Sequence, residues 1–259
     1  MTEVPQTPRA RAKSFVALQL TFVAGMVDIV SFLAVYHLFV AHMTGDTVHL
    51  GHYLVIGNWE QAAKAGTVLA SFVFGSIAGR SIIEAGARKK LRRIATVSLL
   101  LEAALILALV WLAPADLAHR QPGVGTTYWS LALLAAAMGL QTATLTRIGA
   151  LTIHTTFVTG MLNKLAQAVS QWLFWLHDEW RRQAGWGHLL RGSRQNVSAR
   201  TAGFMFGIWL CYVLGSLAGT WMSLHWNTRS LYVPVAFLVL AAGIDQVQPL
   251  SLEEERDQA

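Results

Sequence analysis

The sequence predicts an all-α membrane protein with six transmembrane helices and two further helical segments, arranged as an inverted internal repeat. Three observations support this fold class: the composition is apolar, long apolar runs recur along the chain, and basic residues gather in alternate loops. Of the 259 residues, 54% are hydrophobic and only 13% are charged, whereas ordinary soluble domains have roughly a quarter charged residues. A nucleic-acid partner is excluded, because the arginines and lysines do not line one solvated surface.

Apolar runs bounded by charge, glycine or proline define the spans. A helix of about 20 apolar residues crosses the roughly 30 Å hydrocarbon layer of a bilayer. The first run follows a basic N-terminus, residues 1–13, and is longer than a signal-peptide core, so we expect it to remain as a span. Six spans are predicted at residues 16–37, 62–83, 94–113, 126–147, 201–224 and 230–247.

Two more polar segments, residues 43–57 and 153–176, are interpreted as broken helices that enter and return, or as helices lying at the interface. Lysine and arginine concentrate in cytoplasmic loops. With six spans and both termini inside, 16 of the 20 basic residues are cytoplasmic, whereas eight spans would place the cluster at residues 88–93 outside. We therefore expect a membrane protein with both termini in the cytoplasm. Whether the two segments cross the membrane stays open at this point.

One sequence pattern occurs twice. Residues 72–79 read FVFGSIAG and residues 212–219 read YVLGSLAG, with five of eight positions identical. Upstream of each octapeptide lie a Thr-Gly pair and, before the pair, a glycine within a span. With six spans the two copies enter from opposite sides, which makes the inverted repeat that many secondary transporters share. The alternative is chance similarity between helices rich in small residues. The glycines and pairs are Gly25 with Thr44-Gly45, and Gly139 with Thr159-Gly160.

These copies set the expected domain organisation. The first membrane repeat covers residues 14–113 and the second covers residues 114–247. The second contains a hydrophilic cytoplasmic insert at residues 178–200, where tryptophans and leucines are mixed with arginines, as in a segment lying against anionic lipid. An acidic C-terminal tail, residues 248–259, follows.

A family resemblance begins in the first copy. Residues 25–33 read GMVDIVSFL and residues 39–48 read FVAHMTGDTV. They are similar to the G-x-V-D-x-x-S-F-L and M-T-G-N-T-V stretches of the YoaK-like bacterial inner-membrane proteins, a family classed as a domain of unknown function. Asp46 stands where that family usually has asparagine. The resemblance implies a multi-pass inner-membrane protein and brings no established substrate or reaction.

The second half continues the resemblance, which extends over about residues 14–243. Residues 139–142 (GLQT) occupy the place of the family's G-x-Q-N stretch, with Thr142 where asparagine is usual. Residues 155–160 (TTFVTG) match its T-T-x-x-T-G stretch. Gln141, the third residue of the first of these stretches, is included among the candidate substrate-binding residues.

Ionisable residues within spans are costly and therefore mark candidate functional positions. Asp28 falls near the middle of the first span and Glu102 near the middle of the third. Lys164, in the second polar segment, is the cation that we expect to balance them. A proton-coupled carrier needs such a carboxylate to load and release a proton. The alternative is that each carboxyl only fixes helix packing through hydrogen bonds.

The Thr-Gly pairs are interpreted as the starts of short helices. Threonine caps helix N-termini, and glycine lets backbone N–H groups approach a ligand. Two helix N-termini facing each other suit a small anion, whereas the alternative is that each pair eases a turn at the membrane surface. The predicted substrate-binding residues are Asp28, Thr44, Gly45, Asp46, Glu102, Gln141, Thr159, Gly160 and Lys164.

A stripe of His42, Asp46, His49 and His52 follows helical spacing and offers a candidate metal site. The spacing is a weaker signal than the H-E-x-x-H motif of metalloproteases, since no glutamate lies between the histidines in that pattern. Histidines beside lipid headgroups are the simpler interpretation. The stripe nevertheless supports an alternative function, a membrane-embedded metal-dependent enzyme.

The leading functional hypothesis is a secondary transporter or permease for a small polar or anionic solute, coupled to protons through Asp28. We expect no cofactor and no enzymatic activity, and the partners are the lipid bilayer and the solute. A third hypothesis is a membrane scaffold without a solute path. Paired glycines at G-x-x-x-G spacing leave a homodimer open, although packing within one chain is the favoured use. These pairs are Gly75/Gly79, Gly203/Gly207 and Gly215/Gly219.

Overall fold

The computed structural model describes most of the chain as helix, in agreement with the predicted all-α class. The N-terminal residues 1–7, most of the predicted acidic tail (251–259) and residues 153–157 of the second polar segment lie outside the described part. The described residues are 8–36, 38–91, 93–112, 124–144, 147–148, 151–152, 158–182 and 185–250.

Each predicted span corresponds to one helix, with bounds that differ by several residues at some ends. The first helix begins at Pro8, so part of the predicted N-terminal segment is helical. Within the described ranges, one short antiparallel pair departs from the helical fold, β1 (Arg147–Ile148) with β2 (Leu151–Thr152). The helices are α1 (Pro8–Val30) with a π-helical continuation (Ser31–Tyr36), α2 (Met43–Val55), α3 (Trp59–Arg88), α4 (Ile94–Leu112), α5 (Val124–Thr144), α6 (Val158–Arg181), α7 (Trp186–Gln195), α8 (Val197–Trp226) with a 3₁₀ turn (Asn227–Leu231), and α9 (Tyr232–Val247).

Four helical stretches of the described chain are long and apolar enough to cross a membrane. The last of them runs through both α8 and α9 and counts as one stretch, and α9 alone has only 16 residues. The helix α5 is not among the four, because polar residues near both of its ends, among them Gln141 and Thr142, lower its hydropathy. The span count of six therefore stays a prediction. The four stretches are Ala10–Leu33, Trp59–Arg88, Ile94–Leu112 and Val197–Val247.

The described residues of the two polar segments contain one continuous helix each, which favours the interfacial alternative over the broken one. The 13 residues of α2 extend about 20 Å, less than the hydrocarbon thickness of a bilayer. The 24-residue α6 continues to Arg181 and so includes the start of the predicted insert. Its middle contains no glycine, proline or charged residue between Leu165 and His177. Nothing in that stretch interrupts the helix.

The helix α1 crosses α8 at glycines. A Cβ atom on Gly25 would lie 2.2 Å from the carbonyl oxygen of Tyr212, and one on Gly215 would lie 2.1 Å from that of Phe22. Real Cβ atoms do not approach a backbone this closely, so only glycine permits the crossing. Both glycines therefore serve packing within the chain, as small residues do in membrane helices.

The helix α3 crosses α5 in the same way. A Cβ on Gly139 would lie 2.2 Å from the carbonyl oxygen of Phe72, and one on Gly75 would lie 2.1 Å from that of Ala136. Phe72 and Tyr212 are the first residues of the two repeated octapeptides. The first helix of each copy thus packs against the octapeptide helix of the other copy. Gly203, by contrast, faces open space and takes no part in a crossing.

The core lies between the crossings and is formed largely by α1, α4, α5 and α9. Leu20, Met26, Leu99, Met138 and Leu238 are completely buried there. The outer faces of α3 and α8 remain apolar, with large exposed side chains such as Phe74, Ile77 and Leu217. Such outward apolar faces are expected of helices that contact lipid.

Candidate functional site

A buried carboxylate, Asp28 in the last turn of α1, faces the backbone that precedes α2. Its Oδ1 accepts hydrogen bonds from the backbone N–H groups of Val40 (2.9 Å) and Ala41 (2.7 Å). Both groups precede the first turn of α2, where no preceding helical turn offers a carbonyl acceptor. Ser31 supports the same segment, since its hydroxyl donates to the carbonyl oxygen of Leu38 at 3.0 Å. Asp28 therefore holds the chain between the two helices in place.

The other oxygen of Asp28 is bound by the second copy. The hydroxyl of Tyr212 in α8 donates to Oδ2 at 2.5 Å. We did not identify Tyr212 from the sequence. A signal was nevertheless present, because Tyr212 is the hydroxyl-bearing counterpart of Phe72 when the two octapeptides are aligned. The site thus joins α1 to the helix that contains the second octapeptide.

A second carboxyl group, Asp46, faces the same place from the first turn of α2. Its side chain is 1% exposed, and its Oδ2 has no hydrogen-bond partner within the described structure. Burial and, to a smaller extent, the negative charge of Asp28 raise the pKa of Asp46 to about 7. Asp46 therefore exchanges a proton near neutral pH, as a proton-carrying group requires.

His42 precedes α2 and lies near Asp28. It is the N-cap residue of α2 by position but contributes no side-chain hydrogen bond. Its ring lies beside Gly45, where a Cβ would approach the ring carbon Cδ2 to 3.0 Å. Thr44 is exposed and sits in the first turn of α2. The expectation that Thr44 caps this helix is therefore wrong.

The proposed metal stripe is not assembled. In the part of the chain that the structure describes, no group of three His, Cys, Asp or Glu side chains is arranged to hold a metal ion. Asp46 is buried, whereas His42, His49 and His52 are exposed. The rings of His49 and His52 lie near Tyr53, at centroid distances of 5.9 and 5.6 Å. Helical spacing brought the residues onto one helix, but packing turned the acid inward and the histidines outward.

The candidate residues of the second copy lie at the start of α6. Thr159 is exposed, Gly160 is partly buried, and both belong to the first turn. Lys164 follows one turn later and is partly buried, and burial lowers its pKa. No acidic residue occupies this first turn, in contrast to Asp46 at the start of α2.

Gln141 of α5 is fully buried and lies apart from this cluster. Its Nε2 donates to the carbonyl oxygen of Leu20 at 2.8 Å, which links α5 to α1. Glu102 of α4 is also fully buried, and neither of its oxygens has a hydrogen-bond partner in the described residues. The structure therefore brings together Asp28, Asp46 and His42, and it places Gln141 and Glu102 elsewhere in the core.

A cavity of about 980 Å³ lies between α3, α4 and α5. It is lined mainly by apolar side chains, among them Phe74, Leu105, Trp129 and Leu133. It contains none of the predicted substrate-binding residues. An open apolar groove on membrane helices suits a lipid chain better than a polar solute.

Comparison with known proteins supports the resemblance seen in the sequence. A family model described as "Protein of unknown function (DUF1275)" matches residues 16–244. The chain is 30% identical over 157 residues to the UPF0700 transmembrane protein YoaK of Bacillus subtilis (strain 168). That alignment covers 60% of this chain and 66% of the relative. No solved structure matches the chain.

Proposed function

The chain belongs to the DUF1275 family of YoaK-like membrane proteins, and on this premise we propose that it is a proton-coupled secondary transporter. Its solute is a small polar or anionic molecule. The observation that carries the proposal is the pair Asp28 and Asp46. These two buried carboxyl groups lie near each other, beside the non-helical residues between α1 and α2. One oxygen of Asp46 has no hydrogen-bond partner in the described structure. Buried ionisable groups of this kind mark ion and proton pathways.

The architecture of this transporter is an inverted repeat of two copies, each with three spans and one shorter or amphipathic helix. The matched glycine contacts of the two crossings support the repeat, because they occur at corresponding residues. The distribution of basic residues supports opposite orientations of the copies, with both termini in the cytoplasm of a bacterial cell. Transporters with such repeats bind their solute between the two halves.

The two copies divide the chemistry between them. In the first copy, Asp28 anchors the backbone ahead of α2 while Asp46 takes up and releases the proton. In the second copy, the start of α6 offers backbone N–H groups, the exposed Thr159 and the ammonium group of Lys164, which together favour an anion. Coupling follows when protonation of Asp46 changes the charge at the start of α2 and so favours one arrangement of the copies.

Solute-driven proton movement tests this function. Purified protein in lipid vesicles containing a pH-sensitive dye is exposed in turn to inorganic phosphate, mono- and dicarboxylates and neutral amino acids. We expect at least one of these solutes to move protons with the wild type. Asp46→Asn abolishes this movement, whereas Asp178→Asn, which changes an exposed aspartate of α6, leaves it intact. Absence of proton movement with every solute, or full activity of Asp46→Asn, contradicts the proposal.

The six-span arrangement has its own test. A cysteine introduced at Lys89, an exposed residue beyond the end of α3, is expected to react with a membrane-impermeant maleimide only after the cells are opened. Cys211→Ala serves as the background, because it removes the natural cysteine. Labelling of intact cells would place the basic cluster outside and overturn the arrangement.

A further inference from the structure

Glu102 is a buried acid that takes no part in the Asp28–Asp46 site. It lies in the middle of α4, a helix apolar enough to cross the membrane, and its side chain is 0% exposed. Neither Oε1 nor Oε2 has a hydrogen-bond partner among the described residues. A buried carboxyl group without a donor is rare enough to require an explanation.

The other polar groups on α4 do not serve Glu102. One turn earlier, the hydroxyl of Ser98 is hydrogen-bonded to that of Thr144 in α5 at 2.6 Å. Thr96 gives its backbone N–H and its hydroxyl to Asp245 of α9, at 2.9 and 2.7 Å. These bonds join α4 to both neighbouring helices and leave the carboxyl of Glu102 alone in an apolar layer.

Among the residues that the structure describes, no charged group compensates Glu102. The helix α4 packs against α3, α5, α9 and the 3₁₀ turn before α9. In the described parts of these elements no ion pair or hydrogen bond reaches either carboxyl oxygen of Glu102. The ionisable residues that these elements contain are Glu60, Lys64, Arg80, Glu84, Arg88, Tyr128, Arg229, Tyr232 and Asp245.

The free-energy cost of burying a charge determines whether Glu102 is ionised or protonated. An ionised carboxylate in an apolar interior without partners costs far more than a neutral carboxylic acid does, so such a group keeps its proton. We propose that Glu102 is a second proton-binding site, separate from Asp28 and Asp46, which holds a neutral carboxylic acid in this arrangement of the helices.

The position of Glu102 connects its proton with movement of the two copies. Its helix, α4, closes the first copy of the repeat, whereas α5 and α9, which pack on α4, belong to the second copy. A relative movement of the copies opens this interface and lets the proton leave. This second step depends on the proposed transport function, whereas the presence of the bound proton does not.

Infrared spectroscopy of the full-length protein in lipid vesicles tests for the bound proton. The spectrum of the wild type minus that of Glu102→Gln at neutral pH should contain the carbonyl stretch of a protonated carboxylic acid, shifted in heavy water. The matched control is Glu84→Gln, which changes a glutamate that is exposed and paired with Arg88, and its difference spectrum should contain only bands of an ionised carboxylate. Carboxylate bands in the Glu102→Gln difference, or bands that respond to Na⁺ or K⁺ instead of pH, would overturn the inference.

The transport assay separates this inference from the proposed function. Glutamine mimics the neutral acid, so Glu102→Gln should retain the thermal stability of the wild type but lose solute-driven proton movement. If the wild type moves no protons with any solute, the transport function fails while the infrared result still decides whether the proton is bound. If Glu102→Gln moves protons as the wild type does, the role of Glu102 in coupling is excluded.

Discussion

The crossing of α1 with α8 and that of α3 with α5 are built alike, but their chemistry differs. Three residues after Gly25 stands Asp28, which binds Tyr212 and the backbone ahead of α2. Three residues after Gly139 stands Thr142, whose hydroxyl donates to the carbonyl oxygen of Met138 in its own helix. Close backbone contact thus restricts the glycine positions in both copies, whereas a residue one turn away is free to acquire a different role.

The largest expected effect comes from filling the crossings. Gly215→Leu and Gly75→Leu each place a side chain against a backbone carbonyl 2.1 Å from the new Cβ. We expect either change to lower the free energy of unfolding by about 3 kcal/mol or more, because helices must separate to accept it. Thermal unfolding in detergent measures this loss. Gly203→Leu is the control, since it faces open space, and tolerance of one crossing but not the other would show that the two are not equivalent.

A smaller effect separates the residues that follow the glycines. Asp28→Ala leaves two backbone N–H groups and the hydroxyl of Tyr212 without an acceptor, which should cost about 2–4 kcal/mol. Thr142→Ala removes a hydroxyl bonded within its own helix and should cost less than about 1 kcal/mol. Amide hydrogen exchange at Val40 and Ala41 should accelerate only in Asp28→Ala. Equal effects of both changes would mean that the copies share the same chemistry after all.

The smallest effect is a pH dependence confined to the first copy. The pKa of Asp46 is raised to about 7, so the folded protein binds a proton more tightly than the unfolded chain does. The resulting stabilisation is complete below about pH 4, the unfolded pKa, and is lost as the pH rises through about 7. We expect the wild type to lose about 2 kcal/mol between about pH 5 and 8, relative to Asp46→Asn. Met161, at the corresponding place in α6, gives no such dependence, and parallel stability curves for wild type and Asp46→Asn would refute the assignment.

Much of the fold followed from the sequence because apolar runs and small-residue patterns are local properties. Each of the six apolar runs corresponds to a helix, and the repeated octapeptides lie in α3 and α8, one at each crossing. The bounds of α1 were less predictable, because its basic first residues continue the helix from Pro8. For the second polar segment the sequence left a broken and an interfacial helix open, and its described part, from Val158 onwards, is one continuous helix.

The candidate site was predicted only in part, because side-chain partners depend on contacts between distant segments. Asp28 and Asp46 stood out as acids near or within apolar runs. The partners of Asp28 lie 12, 13 and 184 residues away, and no spacing rule connects them. The histidine stripe failed for a related reason, since helical spacing places residues on one helix but does not decide which of them packs against a neighbour.

The packing of each copy's first helix against the octapeptide helix of the other copy affects folding during synthesis. Ser216 of α8 bonds to the carbonyl oxygen of Gly25, across 191 residues of sequence. While the ribosome synthesises the intervening helices, α1 lies in the lipid with its glycine face uncovered. The native bundle therefore closes only near the end of synthesis, when α8 arrives. A chain that stops after α4 contains neither crossing, so a half-length product has no route to the native packing of either copy.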